Sequence, residues 1–192
     1  GEEAKAFVAW LLHSTRLTWP ELQIIYDVHG ETRLDESELD HLSGFGGARP
    51  VRIGNGACDQ LQLDIYGEVV DAVYESVRRG RPLEKSTAGL LVGFGKTVCR
   101  RWREPDEGIW EIRGERRHHT YSKAMCWVAL GRLLRLHDAG YLTVQVERFH
   151  TERDTLCSEI ERRGYNERLD SYVSTFDGAD LDASLLLLSR YG

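Results

Sequence analysis

The alternation of long and short connections between helix candidates is the feature that most constrains the fold of this chain. Apolar periodicity predicts helices that begin near Asp59, Thr120 and Asp180, and a long connection precedes each of them. The alternate connections, at Gly80 and Gly140, are short turns. Antiparallel helix hairpins with this alternation place every long connection at the same end of the structure.

Such hairpins, repeated around a circle, predict an all-α toroid in which inner and outer helices alternate along the chain. The helix candidates are residues 2–16, 58–79, 83–103, 120–138 and 143–163, followed by a last helix that begins near residue 180 or 182. They correspond to three inner and three outer helices, whereas a closed six-hairpin barrel, (α/α)6, needs twice as many. The sequence therefore predicts roughly half a barrel, with short β-hairpin-like segments in its long loops.

The long connections differ in composition. Residues 22–28, LQIIYDV, and part of residues 165–180 have the composition of short β-strands. Residues 43–56 contain too much glycine and proline for a regular element. They match no phosphate-binding motif, so a nucleotide site is not indicated.

Composition and charge exclude several classes of partner. The chain has 25 basic and 31 acidic residues, and its scattered basic side chains argue against nucleic acid. No apolar run approaches the roughly 20 residues that span a bilayer, so we expect no membrane partner. The four cysteines form no CxxC pair, which argues against a metal site and favours reduced thiols in the cytoplasm. We expect neither a metal nor a cofactor. Because Met125 is the sole methionine, we interpret the chain as an excised piece of a longer protein.

Residues 105–113, PDEGIWEIR, form the segment richest in side chains that can take part in catalysis or binding. Asp106, Glu107, Glu111 and Trp110 surround Gly108 in a connection much longer than two helices need. Such a group suits acid chemistry on a flat, hydroxylated ligand. From these residues alone, a solvated loop whose tryptophan fills the core beneath it is an equal alternative.

Other polar residues in the long loops and first helical turns suggest a sugar site. The substrate-binding candidates are Asn55, Asp59, Gln60, Gln62, Trp110, Arg113, His119 and Lys123. Amides and acids hydrogen-bond pairs of hydroxyls, and an indole face stacks on a pyranose. Asn55 and Asp59 could instead cap a helix, His118 and His119 could be hydrogen-bonded loop residues, and Lys123 could be an exposed helix residue.

Three blocks of the sequence resemble a known family. Residues 49–69 (RPVRIGNGACDQLQLDIYGEV), 103–132 (REPDEGIWEIRGERRHHTYSKAMCWVALGR) and 180–188 (DLDASLLLL) resemble consecutive blocks of the bacterial branch of glycoside hydrolase family 15. This family contains glucoamylases, glucodextranases and trehalases. The resemblance runs from about residue 4 to residue 188 in the expected order.

The resemblance implies an (α/α)6 catalytic domain of which residues 1–192 are a fragment. It implies exo-acting hydrolysis of α-glucosidic bonds with inversion, and it makes Glu111 the general acid. Inversion needs a second, ionised carboxylate roughly 6.5–9.5 Å away to activate water. Burial beside Trp110 would favour the protonated form of Glu111. In this interpretation Asp106 and Glu107 shape or cap the loop.

The chain also departs from the family pattern. Ile112 stands where fungal glucoamylases have a substrate-binding glutamate. The segments that carry the general base and the glucose-binding arginine–aspartate pair have no counterpart, so we expect the piece alone to be inactive. The open edge of a half-barrel would favour self-association. The choice among trehalose, maltooligosaccharides and isomaltose-type substrates stays open. So do two alternatives, a non-catalytic carbohydrate-binding or interaction module and a toroid that isomerises or phosphorolyses sugars.

Overall fold

The computed structural model describes residues 2–111 and 114–191, which form an all-α toroid segment. Its α-helices are α1 Glu2–Arg16, α2 Asp64–Arg78, α3 Lys85–Arg101, α4 Thr120–Asp138, α5 Val146–Glu159 and α6 Leu188–Tyr191. Two antiparallel pairs of short strands lie in the loops, β1 Ser37–Glu38 with β2 Arg52–Ile53 and β3 Tyr165–Asn166 with β4 Ser171–Tyr172. A π-helical turn, Ile160–Gly164, continues α5, and 3-10 turns cover Phe45–Gly47 and Ala183–Leu187.

Helices α2 and α4 form the inner layer and pack on each other more extensively than any other pair. Gly67 permits this approach, because a Cβ atom there would lie 2.3 Å from the carbonyl oxygen of Met125. Farther along the same interface, Arg132 Nε donates to Asp71 Oδ1 at 2.7 Å in a largely buried ion pair. The close packing of α2 on α4 agrees with the prediction that the first helix of each hairpin lies inside.

Helices α3 and α5 cover the outer side of α4. Phe94 and Val98 of α3 are fully buried, and so are Leu133 of α4 and Phe149 of α5. Gly95 leaves room for Leu133 and Phe149, since a Cβ atom at this position would lie within 2.6 to 2.8 Å of their side chains. The predicted stops at Gly80 and Gly140 are confirmed, because both residues have the left-handed backbone that glycine adopts most readily.

Three predictions about the elements differ most from the structure. Helix α2 begins at Asp64, not near residue 58, so neither Asn55 nor Asp59 caps it. Residues 22–28 form no strand, and side-chain bonds hold this segment instead, with Tyr26 Oη bonded to Thr18 and to the Gln23 N–H. The last segment starts as a 3-10 turn and becomes α-helical only at Leu188. The β-like prediction for residues 165–180 is confirmed by the β3–β4 hairpin.

Apolar side chains remain exposed where the chain's last residues lie. Leu181 and Leu186 are largely exposed. Together with Leu185 and Leu188, Leu186 lines a groove of about 500 Å³ against α4 and the π-helical turn. Self-association through this edge stays a prediction. Within the two described ranges, no helix has the length and hydropathy needed to cross a membrane.

Candidate active site

The three long loops meet at one end of the helices. We call residues 17–63 the first loop, residues 102–119 the second and residues 165–187 the third. Between the first two, the Glu107 N–H donates to the Leu61 carbonyl at 2.9 Å, and the Leu61 N–H donates back to Glu107 Oε2 at 2.8 Å. The Leu63 N–H donates to Asp106 Oδ2 at 3.0 Å. Asp106 and Glu107 therefore anchor the second loop to the start of α2, which confirms their predicted loop-shaping role.

The second and third loops are also joined by backbone hydrogen bonds. The Thr120 N–H donates to the Ser174 carbonyl and the Phe176 N–H to the His118 carbonyl, both at 2.9 Å. The side chain of Trp110 adds a third link, because its indole N–H donates to Asp182. The predicted placement of the long loops at one end is confirmed.

Glu111 lies at the exposed turn of the second loop. Its φ of 51° is in the left-handed region that residues other than glycine adopt rarely. Trp110 is 57% exposed and Glu111 is exposed as well. The expected burial of Glu111 beside Trp110 is therefore wrong for this chain, since the turn directs both residues outward. Arg113 lies outside the described residues.

Lys123 lies beneath this loop. Its side chain is 0% exposed, and its ammonium donates to the Glu104 carbonyl at 2.5 Å. Burial lowers the pKa of Lys123, and the fully buried carboxylate of Asp106 acts in the opposite direction. Because protein encloses the ammonium, we reassign Lys123 from the substrate-binding set to the support of the loop.

The candidates of the first loop are placed less uniformly. Asn55 Oδ1 accepts the Ala57 N–H at 2.9 Å, as in an Asx turn. Gln62 is buried and donates to Gln60 Oε1 at 3.3 Å. Asp59 is the exposed member of this group, whereas Asn55 and Gln60 are half-buried.

The two histidines occupy the strand-like end of the second loop. The ring of His119 lies within 2.8 to 2.9 Å of the position that a Gly108 Cβ would occupy. The ring of His118 stacks on Phe176, with centroids 6.1 Å apart. Burial lowers the pKa of both histidines. Their contacts agree with the interpretation of both as structural loop residues, and His119 supports the turn before Trp110.

Comparison with known proteins agrees with this arrangement. The model of the family described as glycosyl hydrolases family 15 matches residues 1–192. This chain belongs to glycosyl hydrolases family 15. It is 38% identical over 183 residues to a trehalase of Mycobacterium tuberculosis, covering 95% of the chain and 27% of the relative.

Two archaeal members of family 15 are similar to the chain at comparable levels. A trehalase of Thermoplasma acidophilum is 32% identical over 173 residues, which cover 90% of the chain and 29% of the relative. Trehalase 1 of Sulfolobus acidocaldarius is 34% identical over 192 residues, which cover 98% of the chain and 32% of the relative. The chain thus spans less than a third of the length of these family 15 relatives. No solved structure is significantly similar to it.

Two features of this family 15 chain were not predicted from the sequence. Asp182 was interpreted only as the start of a helix, yet it holds the indole of Trp110. Asp64, the first residue of α2, is buried, and its Oδ1 accepts no hydrogen bond from the described residues. Burial, reinforced by nearby Asp106, raises the pKa of Asp64 to about 7. Among the described residues, no group of histidine, cysteine and acidic side chains is arranged to hold a metal ion.

Proposed function

We propose that this chain is part of the catalytic domain of an inverting, exo-acting α-glucoside hydrolase in which Glu111 is the general acid. The position of Glu111 carries the proposal. It is exposed directly after Trp110, in a loop that is hydrogen-bonded to both of the others. The indole can stack on a pyranose while the neighbouring carboxyl reaches the glycosidic oxygen.

We propose trehalose as the substrate, because the three relatives described above are named trehalases. Asp59 and Gln60 of the first loop present the carboxylate and amide groups that bind pairs of sugar hydroxyls. The four cysteines are free thiols, which supports a cytoplasmic location as part of the same proposal.

In the proposed reaction, the carboxyl of Glu111 gives its proton to the glycosidic oxygen as the bond from that oxygen to C1 breaks. A second, ionised carboxylate takes a proton from water, whose oxygen bonds to C1 from the opposite face. One water is consumed, and trehalose yields one β-glucose and one α-glucose. We assign the second carboxylate to a part of the protein beyond these residues. Since Glu111 is exposed here, we also propose that the bound sugar covers it.

The test uses the full-length protein that contains this chain. Proton NMR should show glucose released from trehalose faster than from maltose or isomaltose, with β-glucose appearing before mutarotation. Glu111→Gln should lower kcat by roughly 10²–10⁴-fold. Glu115→Gln is the matched control, because Glu115 is an exposed glutamate of the same loop.

Each other outcome removes part of the proposal. Full activity in Glu111→Gln would exclude Glu111 as the acid. A folded protein that releases no glucose would favour the binding module, and glucose phosphate formed in the presence of phosphate would indicate phosphorolysis. Residues 1–192 alone should release no detectable glucose.

A further inference from the structure

A carboxylate of the third loop fixes the indole of Trp110. Trp110 Nε1 donates to both oxygens of Asp182, at 3.0 and 2.9 Å, across 72 residues of sequence. An indole has a single donor, so this contact satisfies its only polar group. The residue nevertheless remains 57% exposed. The ring is therefore held by its edge, while much of its surface stays open to a ligand.

Asp182 is itself held rigidly. It accepts the Ser184 N–H at 2.8 Å, the Ser184 hydroxyl at 2.7 Å and the Ser174 hydroxyl at 3.3 Å. Burial opposes the negative charge, but hydrogen bonds from Ser184, Trp110 and Ser174 outweigh it and lower the pKa of Asp182. Hydrogen bonds to an ionised carboxylate are about twice as strong as neutral ones.

The same contacts leave Asp182 little capacity for chemistry of its own. A carboxylate offers roughly four acceptor positions, and the indole together with the two serines occupies both of its oxygens. The carboxylate is thus poorly placed to activate a water molecule. Its arrangement suits orientation of a neighbour.

The contacts that hold Trp110 and Asp182 in place also meet on the same helix. Ser174, which contacts Asp182, accepts the N–H of Thr120 at the start of α4. Ile109, which precedes Trp110, and Leu185, in the 3-10 turn after Asp182, pack on one apolar cluster that includes Tyr121 and Met125. Both ends of the Trp110–Asp182 contact therefore rest on α4.

We propose that Asp182 is a positioning residue that holds the ring of Trp110 in the orientation that binds the sugar beside Glu111. This inference rests on the proposed function. Asp182 acts through the indole N–H and does not touch the substrate, so its contribution depends on the presence of that donor.

A double-mutant cycle in the full-length protein tests this dependence. Trp110→Phe keeps a flat apolar ring but lacks the N–H. Asp182→Ala should raise KM for trehalose roughly tenfold, as expected for a lost hydrogen bond to a charged group, and should change kcat much less. In the Trp110→Phe background, Asp182→Ala should add less than about twofold. Equal effects in both backgrounds would overturn the proposal.

The cycle also removes the main confounding effect. Asp182 caps the 3-10 turn through the Ser184 N–H. Asp182→Ala removes that cap in both backgrounds, so its effect on KM cancels when the two backgrounds are compared. Ser184→Ala is a further control, since it removes one hydroxyl contact to Asp182 and leaves the indole bond in place. It should raise KM by much less than Asp182→Ala does. A KM increase as large as that of Asp182→Ala would assign the effect to the turn.

A readout without turnover separates this inference from the proposed function. A crystal structure of the full-length Asp182→Ala protein should show the Trp110 ring rotated or with larger displacement parameters. An unchanged, well-ordered ring would overturn the positioning role, even in an active enzyme. If the unmodified protein releases no glucose from any α-glucoside, the hydrolase proposal fails, and this structural result still decides whether Asp182 orients Trp110.

Discussion

The buried ammonium of Lys123 donates a hydrogen bond to the backbone oxygen of Glu104, with the two atoms 2.5 Å apart. Glu104 lies near the start of the loop that carries Glu111, and Lys123 lies one turn into α4. The carboxylate of Asp106, also fully buried, favours the charged form of this lysine. The loop is therefore attached to the inner helix layer by a charged group that solvent does not reach.

Replacing Lys123 with methionine should destabilise the full-length protein by about 2 kcal/mol. Methionine fills similar space, but it leaves the Glu104 carbonyl without its donor and the buried Asp106 without a nearby positive charge. Urea unfolding of the purified variant measures the change. Lys96→Met, at an exposed position of α3, is the matched control and should leave the transition unchanged.

A second change checks the electrostatic part of this argument. Adding Asp106→Asn to Lys123→Met removes the uncompensated charge, so the double variant should recover part of the lost stability. Fully additive losses would show that the two residues contribute independently.

The stability of the protein should also depend on Asp64 between weakly acidic and weakly basic pH. Burial raises the pKa of Asp64 to about 7 from its ordinary value of 3.8. The folded state thus holds this proton more tightly than the unfolded state. The resulting stabilisation is complete below about pH 4 and is lost as the pH rises through about 7.

Asp64→Asn should remove this dependence, because asparagine has no proton to lose. Relative to the unmodified protein, the variant should gain on the order of 3 kcal/mol of unfolding free energy between about pH 5 and pH 8. Urea unfolding at intermediate pH values measures the difference. Asp59→Asn, at an exposed carboxylate shortly before it in sequence, is the control. Its unfolding free energy should change with pH in the same way as that of the unmodified protein. A difference in unfolding free energy between Asp64→Asn and the unmodified protein that stays constant with pH would contradict the raised pKa of Asp64.

Local sequence patterns predicted the helices better than the contacts between loops. The predicted bounds of α4 agree with the structure because apolar periodicity and Gly140 both act within a few residues. The start of α2 was wrong because Asp106 and Glu107, 43 and 46 residues away, hold residues 61–63 outside the helix. Local periodicity contains no information about such bonds.

The same limitation applies to the candidate site. Glu111 and Trp110 stand in a conspicuous motif, whereas the role of Asp182 depends on a contact across 72 residues. The burial of Lys123 was not predictable because a lysine on a helix is usually exposed. Its enclosure follows from the second loop folding over the first turn of α4.

Gly67 should be intolerant of alanine, although alanine favours a helix more than glycine does. A Cβ atom at this position would lie 2.3 Å from the carbonyl oxygen of Met125, a backbone atom that cannot move alone. Gly67→Ala should therefore force α2 and α4 apart and destabilise the protein by at least about 2 kcal/mol. Gly89→Ala in α3 is the control, since a Cβ atom there meets open space, and it should stabilise by up to about 1 kcal/mol. In thermal unfolding, the midpoint temperature should fall for Gly67→Ala and rise for Gly89→Ala.

Glu107 should influence catalysis although it faces the first loop. Its carboxylate accepts the Leu61 N–H at 2.8 Å and Arg116 Nε at 2.9 Å, so it fixes the base of the turn that carries Glu111. Glu107→Ala should lower kcat for trehalose roughly tenfold, because misplacement of a proton donor reduces its contribution to the transition state. Glu115→Ala, in the exposed part of the same loop, should leave kcat unchanged.

Glu107→Gln keeps one acceptor oxygen and should restore much of the activity. If glutamine is as harmful as alanine, the charge of Glu107 matters more than its hydrogen bond to Leu61. If neither variant changes kcat, anchoring at Leu61 does not position the acid.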